Sequence, residues 1–359
     1  MTVQEINNKS QIQSLQFFRG LAAIAVVFHH AILSTEGFIG NVPNWIHKTL
    51  GLGNFGVDFF FVLSGFIIMH IHQADNRTFR DSKIYLYKRL TRVYPVYWPI
   101  AVILGLAYFL IPSMSAVERN ISFISSIFLI PMDGKPGLSV AWTLIHEVIF
   151  YSVFLLYFIS SKVFYTALAI WALVITLVQF ISFESGWYSY FFSILNLEFM
   201  MGVIAVKSIK HVKKNNLGKV FSIIGVVIAV IALIYLSDVG TNYLRLIFAF
   251  GMSLLMIGFI DMEERIKIRW SALLLLLGNA SYSIYLIHNP LLSLTQRLFA
   301  KLHFDWYSAL ISGAVISIFF GVTYHLIVEK KLIKITKYFG RILFYSQKNR
   351  QIKHSNFIR

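Results

Sequence analysis

Ten apolar runs follow one another along this chain of 359 residues, at about 14–33, 55–71, 94–111, 141–159, 163–183, 188–206, 219–236, 243–260, 271–290 and 308–328. Each is close to the length, about 17–25 residues, that crosses a bilayer as a helix. Lipid offers the backbone no hydrogen bonds, so a span must satisfy its own. The expected fold class is therefore all-α, a polytopic membrane helix bundle of about ten transmembrane helices. Composition agrees: 57% of residues are hydrophobic and 13% charged, against about a quarter charged in soluble domains. A shorter apolar piece, "ISFISSIFLI" (Ile121 to Ile130), is too short to span and reads as interfacial or re-entrant. The first run has no small-residue cleavage site and holds Arg19 inside it, so it reads as a mature helix rather than a signal peptide.

The net charge of +16 needs a location before it has a meaning. With the N-terminus inside, the alternating loops put nearly all of the 32 lysines and arginines on the cytoplasmic side, leaving Lys48, Arg119, Lys135, Arg245, Arg297 and Lys301 elsewhere. That is the positive-inside pattern, and it places both termini in the cytoplasm. Lys9, Lys267 and Arg269 fall on the cytoplasmic side in this scheme. The organisation expected is a cytoplasmic segment 1–13, a transmembrane domain 14–328 and a basic cytoplasmic tail 329–359 that is drawn to anionic membrane lipids. No basic and aromatic module stands apart from the helices, so nucleic acid is not an expected partner. The chain has no cysteine, which removes disulfides and thiolate metal sites. No internal repeat or separate soluble domain is visible, so the bundle itself must do the work.

Within the first run, "FFRGLAAIAVVFHH" (Phe17 to His30) sets three polar groups into apolar sequence. Eleven residues separate Arg19 from His30, about 20° past three full turns at about 100° per residue, so the two share a face. His29 falls about 80° round from Arg19 by the same count. The rise puts His30 about 16 Å above Arg19, in the outer half of the membrane. Other titratable groups count to the same outer layer: Asp58 in "GVDFFFVLSGF", His146 and Glu147 in "WTLIHEVIFY", and His288 in "GNASYSIYLIHNP". On the cytoplasmic side, "YLYKRLTRVYPVYW" holds Lys88, with Arg89 and Arg92 three apart on one helical face.

Taken singly, most of these have an ordinary reading. An arginine near a helix end snorkels to the headgroups. His70, His72, His146 and His325 read as satisfied or interfacial groups, Arg89 and Arg92 as positive-inside residues, and "YPVYW" as an aromatic belt. Asp58 and Glu147 resist it, because carboxylates inside spanning helices are costly and usually face a partner or a functional cavity. In combination, a cationic cytoplasmic mouth suits a phosphorylated soluble donor, which arginine forks hold bidentately. A buried histidine beside a carboxylate suits general-base activation of a hydroxyl. Together they describe group transfer across the bilayer.

At these residues the chain resembles the integral-membrane acyltransferase family 3, which acylates bacterial exopolysaccharides, O-antigens, Nod factors and related glycans. The resemblance runs over nearly the whole chain in order: Arg19 and His30 with ten residues between them in the first run, "GVDFFFVLSGF", Arg89 and Arg92 running into "YPVYW", "WTL" with Glu147 and Tyr151, and "SYSIYLIHNP". The stretch "SLQFFRGLAAIAVVFHH" and the length look closest to the exopolysaccharide-acetylating branch. The resemblance implies a bacterial inner-membrane enzyme with acetyl-CoA as the usual co-substrate, succinyl or longer acyl groups staying open, and no permanently bound cofactor or metal is expected. Its acceptor would be a hydroxyl of a glycan or lipid-linked oligosaccharide at the periplasmic face. No esterase-like domain follows the tenth run, so the acceptor is expected to be handled by the bundle and its outer loops.

Mapped onto this sequence, His30 would be the base. Arg19, Arg89 and Arg92 would bind the donor, and Asp58 and Glu147 would orient the histidine or bind the acceptor. Tyr282, His288, Trp142 and Tyr151 are further candidates. A second reading, an exporter of a glycan or lipid-linked precursor, would use the same intramembrane charges as a path. It would call for repeats with broken helices in matching halves, and no such symmetry is visible.

Overall fold

The computed structural model of the chain describes residues 12–111, 121–181, 186–239, 242–266 and 270–355, with side chains left undescribed at 236–239, 264 and 345–355. Lys9, Arg119, Lys267, Arg269 and the last residues of the tail lie outside what is described. Among the described residues the chain is helical without a strand, apart from one isolated bridge between Ile121 and Lys135. The long helices are α1 (Gln13–Phe38), α2 (Gly56–His72), α3 (Phe79–Leu110), α4 (Trp142–Phe154), α5 (Ser161–Val178) and α6 (Leu195–Lys214). They continue with α7 (Gly218–Val239), α8 (Asn242–Ile266), α9 (Ala272–Lys301), α10 (Trp306–Tyr324) and α11 (Lys330–Ser355).

The first ten occupy the positions of the ten apolar runs. Eight helical segments among the described residues are long and apolar enough to cross a membrane; α6 and α9 are long but less apolar. Their deficit has a cause. Glu198 and four lysines fall in α6, while Asn279, Ser281, Ser283, His288 and Asn289 fall in α9. These two helices bring polar groups to the protein interior, as Glu198 and His288 are fully buried.

The chain forms two compact units, Met1–Ala74 with Ala172–Val322, and Asp75–Trp171 with Thr323–Arg359. In the first, helices meet backbone to backbone at glycines. A Cβ on Gly278 of α9 would stand 1.9 Å from the Gln16 carbonyl oxygen of α1, and one on Gly20 would stand 3.0 Å from the Gly278 nitrogen. The α2–α6 contact repeats the device, with Gly202 against the Val62 carbonyl and Gly65 against that of Phe199. Lipid tails are as apolar as leucine, so helices gain by close van der Waals contact, and small residues permit it. Beside this crossing Ala23, Val27, Ala31 and Ile32 of α1 pack with Ala280, Ile284 and Leu292 of α9 and Leu310 and Ala314 of α10. The first N–H groups of α1, at Gln13 and Ser14, donate to the Glu263 carboxylate of α8 at 2.9 Å each. That carboxylate meets orphan donors and the positive end of the helix dipole together.

In the second unit the segment Ile121 to Ile130 does not span. It forms a six-residue helix, Phe123–Phe128, ended by Leu129 in the left-handed region. Its orphan carbonyls at Ser126, Ile127 and Phe128 accept from the Tyr97 hydroxyl, the Trp98 indole and the Tyr94 hydroxyl of α3. The aromatic residues of "YPVYW", expected as a belt, therefore act as hydrogen-bonding anchors for a non-spanning segment.

A Gly278→Ala substitution is expected to destabilise the detergent-solubilised protein by at least about 1–3 kcal/mol, because backbone must move to admit the methyl group. Gly105→Ala, where a Cβ meets nothing within 4 Å, is expected to leave the thermal transition unchanged. Equal transitions for the two variants would contradict the backbone-contact account of the crossing.

Candidate active site

The close crossing of α1 and α9 places two histidines in contact. His288 Nε2 lies 3.2 Å from His30 Nδ1, with ring centroids 4.9 Å apart. His288 is fully buried. Its Nδ1 sits 2.7 Å from the Tyr285 carbonyl and 3.2 Å from that of Ile284, so Nδ1–H is the donor and Nε2 holds the lone pair. His30 Nδ1 must then be the donor toward His288, and it also faces the Val26 carbonyl at 3.0 Å. The tautomers follow from these acceptors. In the neutral His30 the remaining nitrogen, Nε2, bears the lone pair, and no hydrogen bond to it is found among the described residues.

His29 points elsewhere, its Nδ1 at 2.9 Å from the Gly51 carbonyl. The separation of the two histidines expected from helix geometry thus has distinct partners behind it. Arg19 is half-buried on α1, with Nη1 at 3.4 Å from the Gln16 Oε1. It lies eleven residues, about 16 Å of helical rise, below His30. Tyr282 is half-buried on α9, six residues before His288.

Of the two carboxylates expected to orient His30 or to bind the acceptor, Asp58 has an arginine partner. Asp58, fully buried on α2, takes a bidentate fork from Arg245 of α8, Nε to Oδ1 at 2.8 Å and Nη2 to Oδ2 at 2.9 Å. Glu198 of α6 lies beside it, with no hydrogen-bond partner for either of its buried carboxyl oxygens among the described residues, and the Arg245 guanidinium also covers the Phe55 ring at 5.4 Å. Two carboxyl groups and one guanidinium therefore tie α2, α6 and α8 together, while His30 is oriented by the Val26 carbonyl and His288. Glu198 and Arg245 were not among the sequence candidates. The signal that singled out Asp58, a carboxylate inside an apolar run, applies equally to Glu198.

The second unit holds the remaining candidates. Arg89 and Arg92 lie on α3, and Trp142, Glu147 and Tyr151 on α4. The Tyr151 hydroxyl donates to Glu147 Oε1, and the Tyr85 hydroxyl to the Tyr151 carbonyl. The Arg89 guanidinium stands 5.8 Å and 5.9 Å from the Tyr85 and Tyr151 ring centres, within cation–π range. Arg89 is buried, and its Nε has no hydrogen-bond partner among the described residues. Arg92 is exposed. Glu147 is thus a partner of Tyr151 in the setting of Arg89, and Trp142 packs edge-on against His146, rings 5.9 Å apart.

One histidine given an ordinary reading has a carboxylate of its own. His325 Nδ1 lies 2.7 Å from Glu329 Oε2, both buried, on the π-turn that follows α10. Among the described residues no group of three or more histidine, aspartate or glutamate side chains is placed to hold a metal ion.

The family described as an acyltransferase domain matches residues 12–327. The exopolysaccharide production protein ExoZ of Rhizobium meliloti (strain 1021) is 26% identical over 302 residues, covering 80% of this chain and 91% of that protein. No solved structure matches the chain. With a match that runs from the start of α1 to the end of the spanning helices, the chain belongs to the acyltransferase 3 family and is a multi-pass membrane acyltransferase.

Proposed function

We propose that the protein transfers an acetyl or other short acyl group from acyl-CoA to a hydroxyl of a cell-surface glycan, with His30 as the general base. The observation behind this reading is the ordered pair His30–His288. The His288 ring, locked by its own helix carbonyls, receives the Nδ1–H of His30 and leaves His30 Nε2 as a fixed proton acceptor. A base held in one tautomer by a hydrogen bond on its other nitrogen is the arrangement general-base chemistry uses. In the step proposed, Nε2 takes the hydroxyl proton as the sugar oxygen attacks the thioester carbonyl. The carbon–sulfur bond then breaks, and the departing CoA sulfur receives the proton.

The donor's phosphates are assigned to Arg89 and Arg92. A buried guanidinium nitrogen without a hydrogen-bond partner among the described residues suits an anionic ligand, and the Tyr85 and Tyr151 rings lie within cation–π range of Arg89. Arg19, at the opposite end of α1 from His30, is assigned to the donor side. The polysaccharide acceptor is supported by the similarity to ExoZ. Donor at the cytoplasmic face and acceptor at the outer face follow from the distribution of basic residues along the sequence. The cell compartment proposed is the bacterial inner membrane.

Purified protein incubated with radiolabelled acetyl-CoA and deacylated polysaccharide from the producing strain is expected to label the glycan. His30→Ala is expected to lower the rate by about 10²–10⁴-fold, the usual contribution of a positioned base, whereas His325→Asn keeps most of it. Transfer that survives His30→Ala but is lost in His325→Asn would move the base to the His325–Glu329 pair. Movement of unlabelled glycan across proteoliposomes without any acyl transfer would favour an exporter.

For the donor, Arg89→Ala is expected to weaken acetyl-CoA binding by about tenfold or more, the loss of a charge-assisted phosphate contact. Unchanged affinity in calorimetry would remove Arg89 from the donor site.

A further inference from the structure

The helices that hold His30 and His288 both run on, toward their C-terminal ends, into the wall of a cavity. Its volume is about 360 Å³, within the usual range of small-molecule sites, about 300–1,000 Å³. Phe38 at the end of α1, Asn41 just beyond it, and His303, Phe304, Asp305 and Trp306 between α9 and α10 line it. Phe38 lies eight residues beyond His30, about 12 Å of helical rise. The cavity is therefore at the same end of α1 as the base and beyond it.

The lining combines aromatic faces with hydroxyl-binding groups. The rings have packing partners of their own: Phe304 stacks on Phe299, centroids 4.7 Å apart and planes at 12°, and the Arg297 guanidinium covers Phe38 at 5.1 Å. Asp305 accepts the Ser308 N–H and hydroxyl at 2.9 Å and 2.7 Å. Those bonds hold its carboxyl below the ordinary range, and the remaining lone pairs face solvent as acceptors at neutral pH. His303 adopts φ of +57° and Asn41 +59°.

We propose that this cavity is a sugar-binding subsite that seats one pyranose of the acceptor glycan, its C–H face on Phe38 and Trp306 and its hydroxyls on Asn41, His303 and Asp305. No net charge is asked of the ligand, and the mixture of ring faces with an amide, an imidazole and a carboxylate suits a polyhydroxylated ring better than a lipid tail or an anion. The subsite lies too far along α1 to hold the hydroxyl that reacts. It takes a neighbouring sugar of the same chain and so presents the reactive hydroxyl to His30. The proposal rests on the acceptor reading above, and binding can be measured apart from transfer.

The test uses the full-length purified protein and oligosaccharides cut from the producing strain's own surface polysaccharide, stripped of acyl groups with mild alkali. Calorimetric titration is expected to show binding to the unsubstituted protein and to His30→Ala alike. Trp306→Ala and Asp305→Asn are expected to weaken it by about tenfold or more. In the transfer assay the same variants raise KM for the glycan by a similar factor with kcat within about twofold, as loss of uniform binding requires. Trp306→Phe, which keeps a ring, is expected to restore most of the affinity, and Asp305→Asn keeps a helix-capping side chain. Parental affinity in Trp306→Ala, or no binding by the unsubstituted protein, overturns the subsite. Binding that depends on Trp306 in a protein showing no acyl transfer would keep the subsite and remove the transferase reading.

Discussion

The contact on which the first unit turns is the backbone approach of α1 and α9 at Gly20 and Gly278. In lipid there is no water to expel from between helices, so a crossing persists by packing and by the hydrogen bonds it brings together. At this crossing the two follow from each other. Absence of a Cβ at Gly278 lets the helices close on the Gln16 carbonyl, and ten residues further along α9 His288 reaches His30. An imidazole in this interior is costly unless both nitrogens are satisfied. His288 meets that demand with its own helix carbonyls on one side and His30 on the other. His30 shares its Nδ1–H between two acceptors, and its Nε2 is the nitrogen proposed as the base.

The same accounting organises the other intramembrane charges. Asp58, Glu198 and Arg245 come from three helices and meet in one buried group. Breaking such a pair from one side leaves an uncompensated charge and costs about 3–5 kcal/mol, so this group fastens α2, α6 and α8. Arg89 differs: two tyrosine rings lie 5.8 Å and 5.9 Å from it, and its Nε has no hydrogen-bond partner among the described residues. Arg245 is held by a carboxylate of the fold, which is why Arg89 rather than Arg245 is proposed for the donor.

Depth along a helix is written in the sequence, and azimuth on a single helix nearly so. The ten runs, the shared face of Arg19 and His30, and the distinction of His30 from His29 all follow from rise and rotation per residue. Which residue of one helix meets which of another does not. Asp58 counts to the depth of His30, yet its partner is Arg245 of α8, a pairing between helices that rise and rotation along one helix do not give. The aromatic residues of "YPVYW" have the composition of an interfacial belt, and only the position of the Phe123–Phe128 helix makes them hydrogen-bond donors to its carbonyls. The polar face of α9 was legible in part: His288 was noted for its depth, but its partner depends on a glycine contact that no single helix announces.

In the proposed mechanism His30 and His288 act as one unit, His288 through His30. A double-mutant cycle on kcat, with His30→Ala, His288→Ala and the doubly substituted protein, measures that coupling directly. If the account is right, His288→Ala slows transfer while the double variant is no slower than His30→Ala alone, since a positioning residue has nothing left to position. Losses that multiply, with the double variant slower than His30→Ala by the full factor of His288→Ala, would contradict it.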